Sequence, residues 1–365
     1  MKTKYFLVAL LCSVSQINAQ ITLDADGSGG MQTYDLINSV LAPGYDAVEE
    51  PDCSHTPIFQ HIDEPFDATL GIDVFRFYIH VATDTDRCNG STDRQRNEIK
   101  TYDKSPDELK GVEGETVIYK WKFKLDTGFQ VSSSFTHLHQ LKSVGGLYES
   151  MPMYTLTARK SSPDRLELRY AETNSQSTLT QVPLSNFKGV WVEATETIKY
   201  GNNSSPDSGT YSIEIKRVSD SAVLLSYTNN AIKNWQTNAD FVRPKWGIYR
   251  SLNSPSDLRD EEVLFANFSI EETGTLSSTD VTLNEKKILI SPHPAGDILT
   301  IKNLALGLNE IDIFSLDGRK ILNNSNESQK TESSIDVSSL SNGSYILSVL
   351  NENRHRQSQM LIISR

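Results

Sequence analysis

Three short segments of this 365-residue chain carry side chains suited to holding a carboxylate and moving protons: DRQRNEIKTY (93–102), FTHLHQLK (135–142) and RPKWGIYRS (243–251). In extended backbone, successive side chains point to opposite faces. Arg94, Arg96, Glu98 and Lys100 then share one face of the first segment, and Lys245, Gly247 and Tyr249 one face of the third. In the middle segment Gln140 and Lys142 lie together, opposite His137, His139 and Leu141. The same alternation of charge is also what a solvated sheet face shows, so each segment taken singly is weak evidence.

The two histidines raise a second chemistry, because His-x-His on a strand aims two imidazoles at one point. Zinc needs at least a third protein ligand, and His55, His61 and His80 are candidates that no spacing ties to the pair. The Asp-rich segment ATDTD (82–86) is where a structural calcium would bind. Other chemistries find less support. A retaining glycosidase needs two carboxylates about 5 Å apart, and Glu193 and Glu196, three apart on an expected strand, point to opposite faces. The chain has no Gly-x-Ser-x-Gly elbow, no phosphate-cradling glycine loop and no clustered cysteine ligands.

The elements that must position these residues are strands. TVIYKWKFKL (116–125) puts Val117, Tyr119, Trp121, Phe123 and Leu125 on one face and Lys120, Lys122 and Lys124 on the other, an antiparallel strand with one wet side. Segments 73–81, 153–159, 165–170, 190–198, 210–218, 222–228 and 263–270 read the same way, separated by turn-rich stretches such as KYGNNSSPDSGT. The expectation is an all-β chain built on an antiparallel β-sandwich.

At the N-terminus, Lys2 and Lys4 precede an apolar run from Tyr5 to Cys12 and a small-residue exit at Asn18-Ala19, the pattern of a secretory signal over 1–19. No later segment is apolar enough for a membrane span. Export to an oxidising compartment leaves Cys53 and Cys88, which are expected to pair. The net charge of −12 becomes about −14 without the two leader lysines, which argues against general nucleic-acid or anionic-membrane binding. A local basic cleft for an acidic ligand remains open. The main domain is read as 20–272, followed by a small, polar, aromatic-free linker at 273–283 and a strand-like unit over 284–365.

That last unit contains ISPHPAGDILTI, IDIFSLDGRKIL, SSIDVSSLSNGSYILSVL and QMLIISR, which in this order resemble the sorting domain of the type IX secretion system. His293-Pro294 stands where the family has Asn-Pro, Asp317-Gly318 supplies the hairpin turn, and Leu340, Gly343 and Tyr345 carry the closing motif. The resemblance implies a small Ig-like β-sandwich, the secretion machinery as partner, and an extracellular or cell-surface destination.

Taken together, Arg-x-Glu-x-basic, Gln-x-basic and Lys-x-Gly-x-Tyr resemble the three cleft strands of jelly-roll polysaccharide lyases that cut alginate and glucuronan. Those families typically have Gln-Ile-His in the middle phrase, where this chain has Gln140-Leu141-Lys142. With QRNEIKTYDKSP and FTHLHQLK, that lysine makes the chain most similar to ulvan lyases of polysaccharide lyase family 28, over about residues 50–272. The resemblance implies a secreted, endo-acting, monomeric lyase that cleaves an acidic polysaccharide by β-elimination and requires no cofactor. It implies Lys142 and Tyr249 as catalytic pair, with either one as base, and Arg96 and Gln140 as the carboxylate clamp. Arg94, Asn97, Lys245 and, if a bulge shifts the register, His139 would line the substrate. Tyr102, Tyr148 and Trp246 are candidates for stacking on sugars, with core packing at least as good a reading for Trp246. Two alternatives stay open: a lyase for alginate or glucuronan, and a non-catalytic carbohydrate-binding jelly roll.

Overall fold

The computed structural model describes residues 20–88, 90–202, 208–273, 288–304, 307–315, 319–328, 331–351 and 356–365. The leader, most of the expected linker and the Asp317-Gly318 turn lie outside these residues. The chain divides into two units, Met1–Leu276 and Ser277–Arg365.

The first unit is a two-sheet antiparallel sandwich, a β-jelly roll. One sheet orders its strands Val223–Asn229, Thr210–Arg217, Val192–Lys199, Thr116–Leu125, Glu261–Glu272, Phe75–Ile79 and Ile62–Asp63, with Gln20–Leu23 pairing the far end of Glu261–Glu272. The other orders Ser177–Pro183, Arg165–Tyr170, Tyr154–Arg159, Thr136–Val144, Phe241–Ser251, Arg94–Lys100 and Val48–Glu49. The three chemistry-bearing segments are thus the adjacent strands Thr136–Val144, Phe241–Ser251 and Arg94–Lys100 of this second sheet.

Alternation builds the core between the sheets. In Thr116–Leu125, Val117, Tyr119, Trp121, Phe123 and Leu125 are buried, and the intervening lysines are half-exposed on the outer face. Lys122 there pairs with Glu193 of the next strand at 2.9 Å. From the second sheet, Ile99, Leu141, Leu156, Trp246 and Ile248 close the same core. Burying a Leu-, Ile- or Phe-sized side chain is worth about 1.5–3 kcal/mol each, so this period-two pattern sets the two faces of each strand. A nine-residue helix, Thr33–Leu41, adds Ile37 and Leu41 to the core. The strand-dominated reading of the sequence did not single it out, although Thr33, Ile37 and Leu41 fall at the i, i+4, i+8 spacing of one helix face.

The second unit is a smaller β-structure. Leu289–Ser291, Ile298–Lys302 and Glu332–Asp336 form one sheet, and Lys320–Ser328, Gly307–Ser315, Gly343–Asn351 and Arg356–Ile363 another. Leu299, Ile301, Ile311, Ile313, Leu347 and Leu361 form its core, with Leu340 buried and Tyr345 packed against it.

Candidate active site

Strand register brings the expected residues together on the outer face of the second sheet. Tyr249 is paired with Arg96 and Lys245 with Lys100 across one strand junction. Lys245 is paired with Gln140 and Arg243 with Lys142 across the other. The regular alternation then breaks. Trp246 pairs with His139 but Tyr249 pairs with His137, so three residues of one strand span two of the other. The neighbouring strand has the complementary irregularity, with Leu156 opposite His139 and Thr157 opposite His137. This is a β-bulge, and it turns both Leu138 and His139 inward.

Gly247 sits in the bulge with φ of 144°, and a Cβ there would collide with the backbone carbonyl of Asn97 and the Cα of Glu98. A lone glycine inside a strand pattern is the signal from which the bulge was readable.

The bulge corrects the alternation reading for one histidine. His137 does not share a face with His139. Its ring lies 5.7 Å from that of Tyr249 and 4.8 Å from that of Phe135, and its Nδ1 is 2.8 Å from Thr157 Oγ1. Burial, reinforced by Arg159, Arg96 and Arg169 against an opposing Glu98, pushes its pKa down to about 3, so the imidazole is neutral. His139 takes the interior position expected from plain alternation. Its Nε2 is 2.8 Å from Glu196, its Nδ1 is 3.0 Å from the Lys245 carbonyl, and its ring is 4.3 Å from Trp121. His139 therefore does not line this face. Asn97 does not either: its amide donates inward to the carbonyls of His61 and Tyr78 at 2.8 and 3.0 Å. Trp246 is fully buried against Phe268 and Trp121 and is a core residue. Tyr102 and Tyr148 remain half-buried.

The floor of the face is a buried ionic network that sequence reading did not anticipate. Lys245 pairs with both Glu49 and Glu98, the latter at 2.7 Å. Arg96 pairs with Glu98 at 2.7 Å, Asp86 at 2.8 Å and Glu49 at 3.4 Å. Burial disfavours ionisation of Glu49, but Lys245, Lys100 and Arg96 outweigh it and hold its carboxyl far below the usual range. Glu98, also opposed by burial, is held down by Lys245 and Arg96. The Gln140 amide donates to Glu98. Arg96, Gln140 and Lys245 are thus tied to carboxylates of the protein itself. Glu49 lies on a segment remote in sequence and Asp86 on the loop ten residues before Arg96, and nothing in the three phrases points to either.

Two groups on this face have a different character. Lys142, half-buried, has no carboxylate within ion-pairing distance among the described residues. Burial, then Lys245, Arg243 and Arg96, push its pKa down to about 8 against the opposing pull of Glu98. Tyr249 is 8 % exposed. Its hydroxyl accepts a hydrogen bond from Arg94 Nη1 at 3.0 Å, and the Arg96 guanidinium lies 3.6 Å from its ring centroid. An oxygen that accepts from Arg94 keeps its own proton available to a third group.

Cys53 and Cys88 are joined in a disulfide, as their compartment implied. The two aspartates of ATDTD diverge: Asp84 turns toward His55, His61 and His80, whereas Asp86 pairs with Arg96. Glu193 and Glu196 face opposite sides of their strand, the first toward Lys122 and the second toward His139.

Residues 289–364 match the family model for a secretion system C-terminal sorting domain. The tail therefore assigns the protein to type IX secretion and an extracellular or cell-surface location. No helix among the described residues is long and apolar enough to cross a membrane. No curated protein matches the chain. Among solved structures, the chain is similar to an endo-beta-1,4-glucuronan lyase from the fungus Trichoderma reesei, with 14% identity, 58% of this chain and 87% of that one covered, and a TM-score of 0.42. It is also similar to the marine PL-14 alginate lyase from Aplysia kurodai, with 13% identity, coverage of 69% and 98%, and a TM-score of 0.46. A third is alginate lyase PA1167 from Pseudomonas aeruginosa, with 12% identity, coverage of 62% and 98%, and a TM-score of 0.41.

Proposed function

We propose that the large unit is a secreted, endo-acting polysaccharide lyase that cleaves a uronate-containing polysaccharide by β-elimination, with ulvan as its substrate. The observation that carries this reading is the pairing of functions on one sheet face. A lysine with its pKa lowered to about 8, and with no carboxylate in ion-pairing distance among the described residues, lies on the same face as a tyrosine whose hydroxyl accepts from Arg94. Tyr249 pairs with His137, five residues along the strand from Lys142, so the two side chains would approach one sugar from opposite ends.

In the reaction, neutral Lys142 Nζ takes the proton from C5 of the uronate, and the electron pair becomes the C4=C5 double bond. The C4–O4 bond breaks, and the Tyr249 hydroxyl supplies the proton to the departing oxygen. The atoms balance without a cofactor. Charge that spreads onto the uronate carboxylate during proton removal would be stabilised by the cation beside Lys142 that no carboxylate of the described residues holds, Arg243, which lowers the barrier. The cations around the face, Arg94, Arg243 and Lys142 among them, also suit a polyanionic chain and offset the acidity of the rest of the protein. The choice of ulvan over alginate or glucuronan rests on lysine at position 142, where the resembled alginate and glucuronan lyases typically have the histidine of Gln-Ile-His.

The test is ultraviolet absorbance of the tail-less protein incubated with ulvan, alginate, glucuronan and heparin, which reports the conjugated double bond of an unsaturated uronate. A rise with ulvan alone is expected. A rise only with alginate or glucuronan would overturn the substrate, and binding without any rise would turn the reading to a carbohydrate-binding module.

A further inference from the structure

Beside the sheet face, three histidines from two stretches of chain, 55–61 and 80–84, converge on one buried aspartate. The ligating atoms of His55, His61, His80 and Asp84 all lie within 4.8 Å of one another. Asp84 Oδ1 is 2.6 Å from His55 Nε2 and 3.1 Å from His61 Nε2, and Asp84 Oδ2 is 3.3 Å from His80 Nδ1. Two ligands on a tetrahedral zinc ion, with bonds of about 2.0–2.1 Å, sit roughly 3.3 Å apart. The Asp84 contacts bracket that spacing, and the wider separations in the cluster, up to 4.8 Å, would have to close by small side-chain shifts on binding.

The surroundings fit a metal as well. The second ring nitrogen of His61, Nδ1, is 2.7 Å from Asp52 Oδ1, and the Tyr34 hydroxyl donates to the same carboxylate at 2.9 and 3.0 Å. A carboxylate on the far nitrogen fixes the tautomer and turns the Nε2 lone pair toward the centre, as in the outer shells of metal sites. His80 Nδ1 is buried and makes no hydrogen bond. The three imidazole centroids lie 4.9 to 5.3 Å from one another, and the Phe59 ring packs 5.0 to 5.5 Å from each of them, covering the cluster with an apolar side chain.

We propose that His55, His61, His80 and Asp84 form a structural zinc site. Three imidazoles and one carboxylate suit zinc, whereas calcium takes six to eight oxygen ligands. Four protein ligands leave no open position for catalysis. The site reinforces a junction that the Cys53–Cys88 disulfide already clips, because His55 follows Cys53 by two residues and Asp84 precedes Cys88 by four. The loop it holds carries Asp86, the partner of Arg96, and Arg87, the partner of Glu49 at 2.7 Å. Metal binding would thereby steady the ionic floor under Tyr249. The inference is independent of what the sheet face does chemically.

The full chain, purified without a metal-affinity step, should contain about one zinc per molecule by elemental analysis. A strong chelator should lower its melting midpoint, zinc should restore it, and calcium or magnesium should not. Cobalt in place of zinc should give the intense visible absorption of a tetrahedral site, a signature that a merely structural role for the histidines would not produce. His80→Gln, at the more exposed edge of the cluster, should keep the fold and weaken zinc affinity by at least about 10–100-fold; His55→Gln is the second variant should the first fail to fold. Absence of zinc with a chelator-insensitive midpoint would overturn the proposal and leave His61 held as an imidazolium between Asp52 and Asp84. Restoration by calcium but not zinc would overturn it equally.

Discussion

The guanidinium of Arg96 lies 3.6 Å from the centroid of the Tyr249 ring, while its own nitrogens are held by Glu98, Asp86 and Glu49. Arg96 is therefore a support for the tyrosine rather than a free clamp for a substrate carboxylate. Arg94, which donates to the phenolic oxygen, holds the same side chain from the other end. Tyr249 is thus flanked by two cations, Arg96 held by three carboxylates and Arg94 paired with its exposed neighbour Asp93 at 2.6 Å, which favours proton transfer at a defined point.

Replacing Tyr249 by Phe removes the transferable proton and keeps the ring on Arg96. Turnover on the polysaccharide should fall by about 10²–10⁴-fold, the range of general acid catalysis. Substrate affinity, measured by calorimetry, should change little. A variant with undiminished turnover would remove Tyr249 from the mechanism.

Lys142 has a pKa near 8 and must be neutral to act as base, so kcat/KM should rise with pH and level off above about 8. If the lysine instead neutralised the uronate carboxylate as a cation, the rate would fall over the same interval. The pH profile of kcat/KM separates the two roles, and Lys142→Arg, permanently charged, should abolish activity in the first case and retain part of it in the second.

His137 is neutral in the folded state down to about pH 3, whereas an unfolded histidine protonates near 6.5. Between these values the unfolded state binds the extra proton, so this group's contribution to stability is lost as pH falls from about 6.5. Relative to the wild type, His137→Gln should show a shallower loss of stability between pH 6.5 and 4 in urea titrations. Parallel curves would mean that His137 is not held neutral.

Lys245 is buried between Glu49 and Glu98. Lys245→Met should destabilise the large unit by about 3–5 kcal/mol, because it leaves two carboxylates in a dry site with less compensation. Glu49→Gln in the same chain should recover part of that loss, a coupling that a double-mutant cycle reads directly. Additive losses would show that Lys245 and Glu49 do not act as a unit.

Much of the frame was legible in the sequence because a strand writes its two faces into alternate residues. TVIYKWKFKL declares a dry and a wet side without help from its neighbours, and Gln140, Lys142, Lys245 and Tyr249 fall on the shared face that period two assigns them. The leader pattern pointed to an oxidising compartment and so to the Cys53–Cys88 bond, and the tail phrases pointed to sorting. Tertiary structure alone decided the rest. The bulge at Gly247 depends on how three strands are registered against one another, and it moved His137 to the face beside Tyr249. Glu49 reaches Arg96 and Lys245 from a distant part of the chain while Asp86 reaches Arg96 from the loop just before it, and the stretch carrying His55 and His61 meets the one carrying His80 and Asp84 only in the folded chain. Periodicity is a property of one strand; register, ion pairing and ligand convergence are properties of chain segments brought together, and no single segment encodes them.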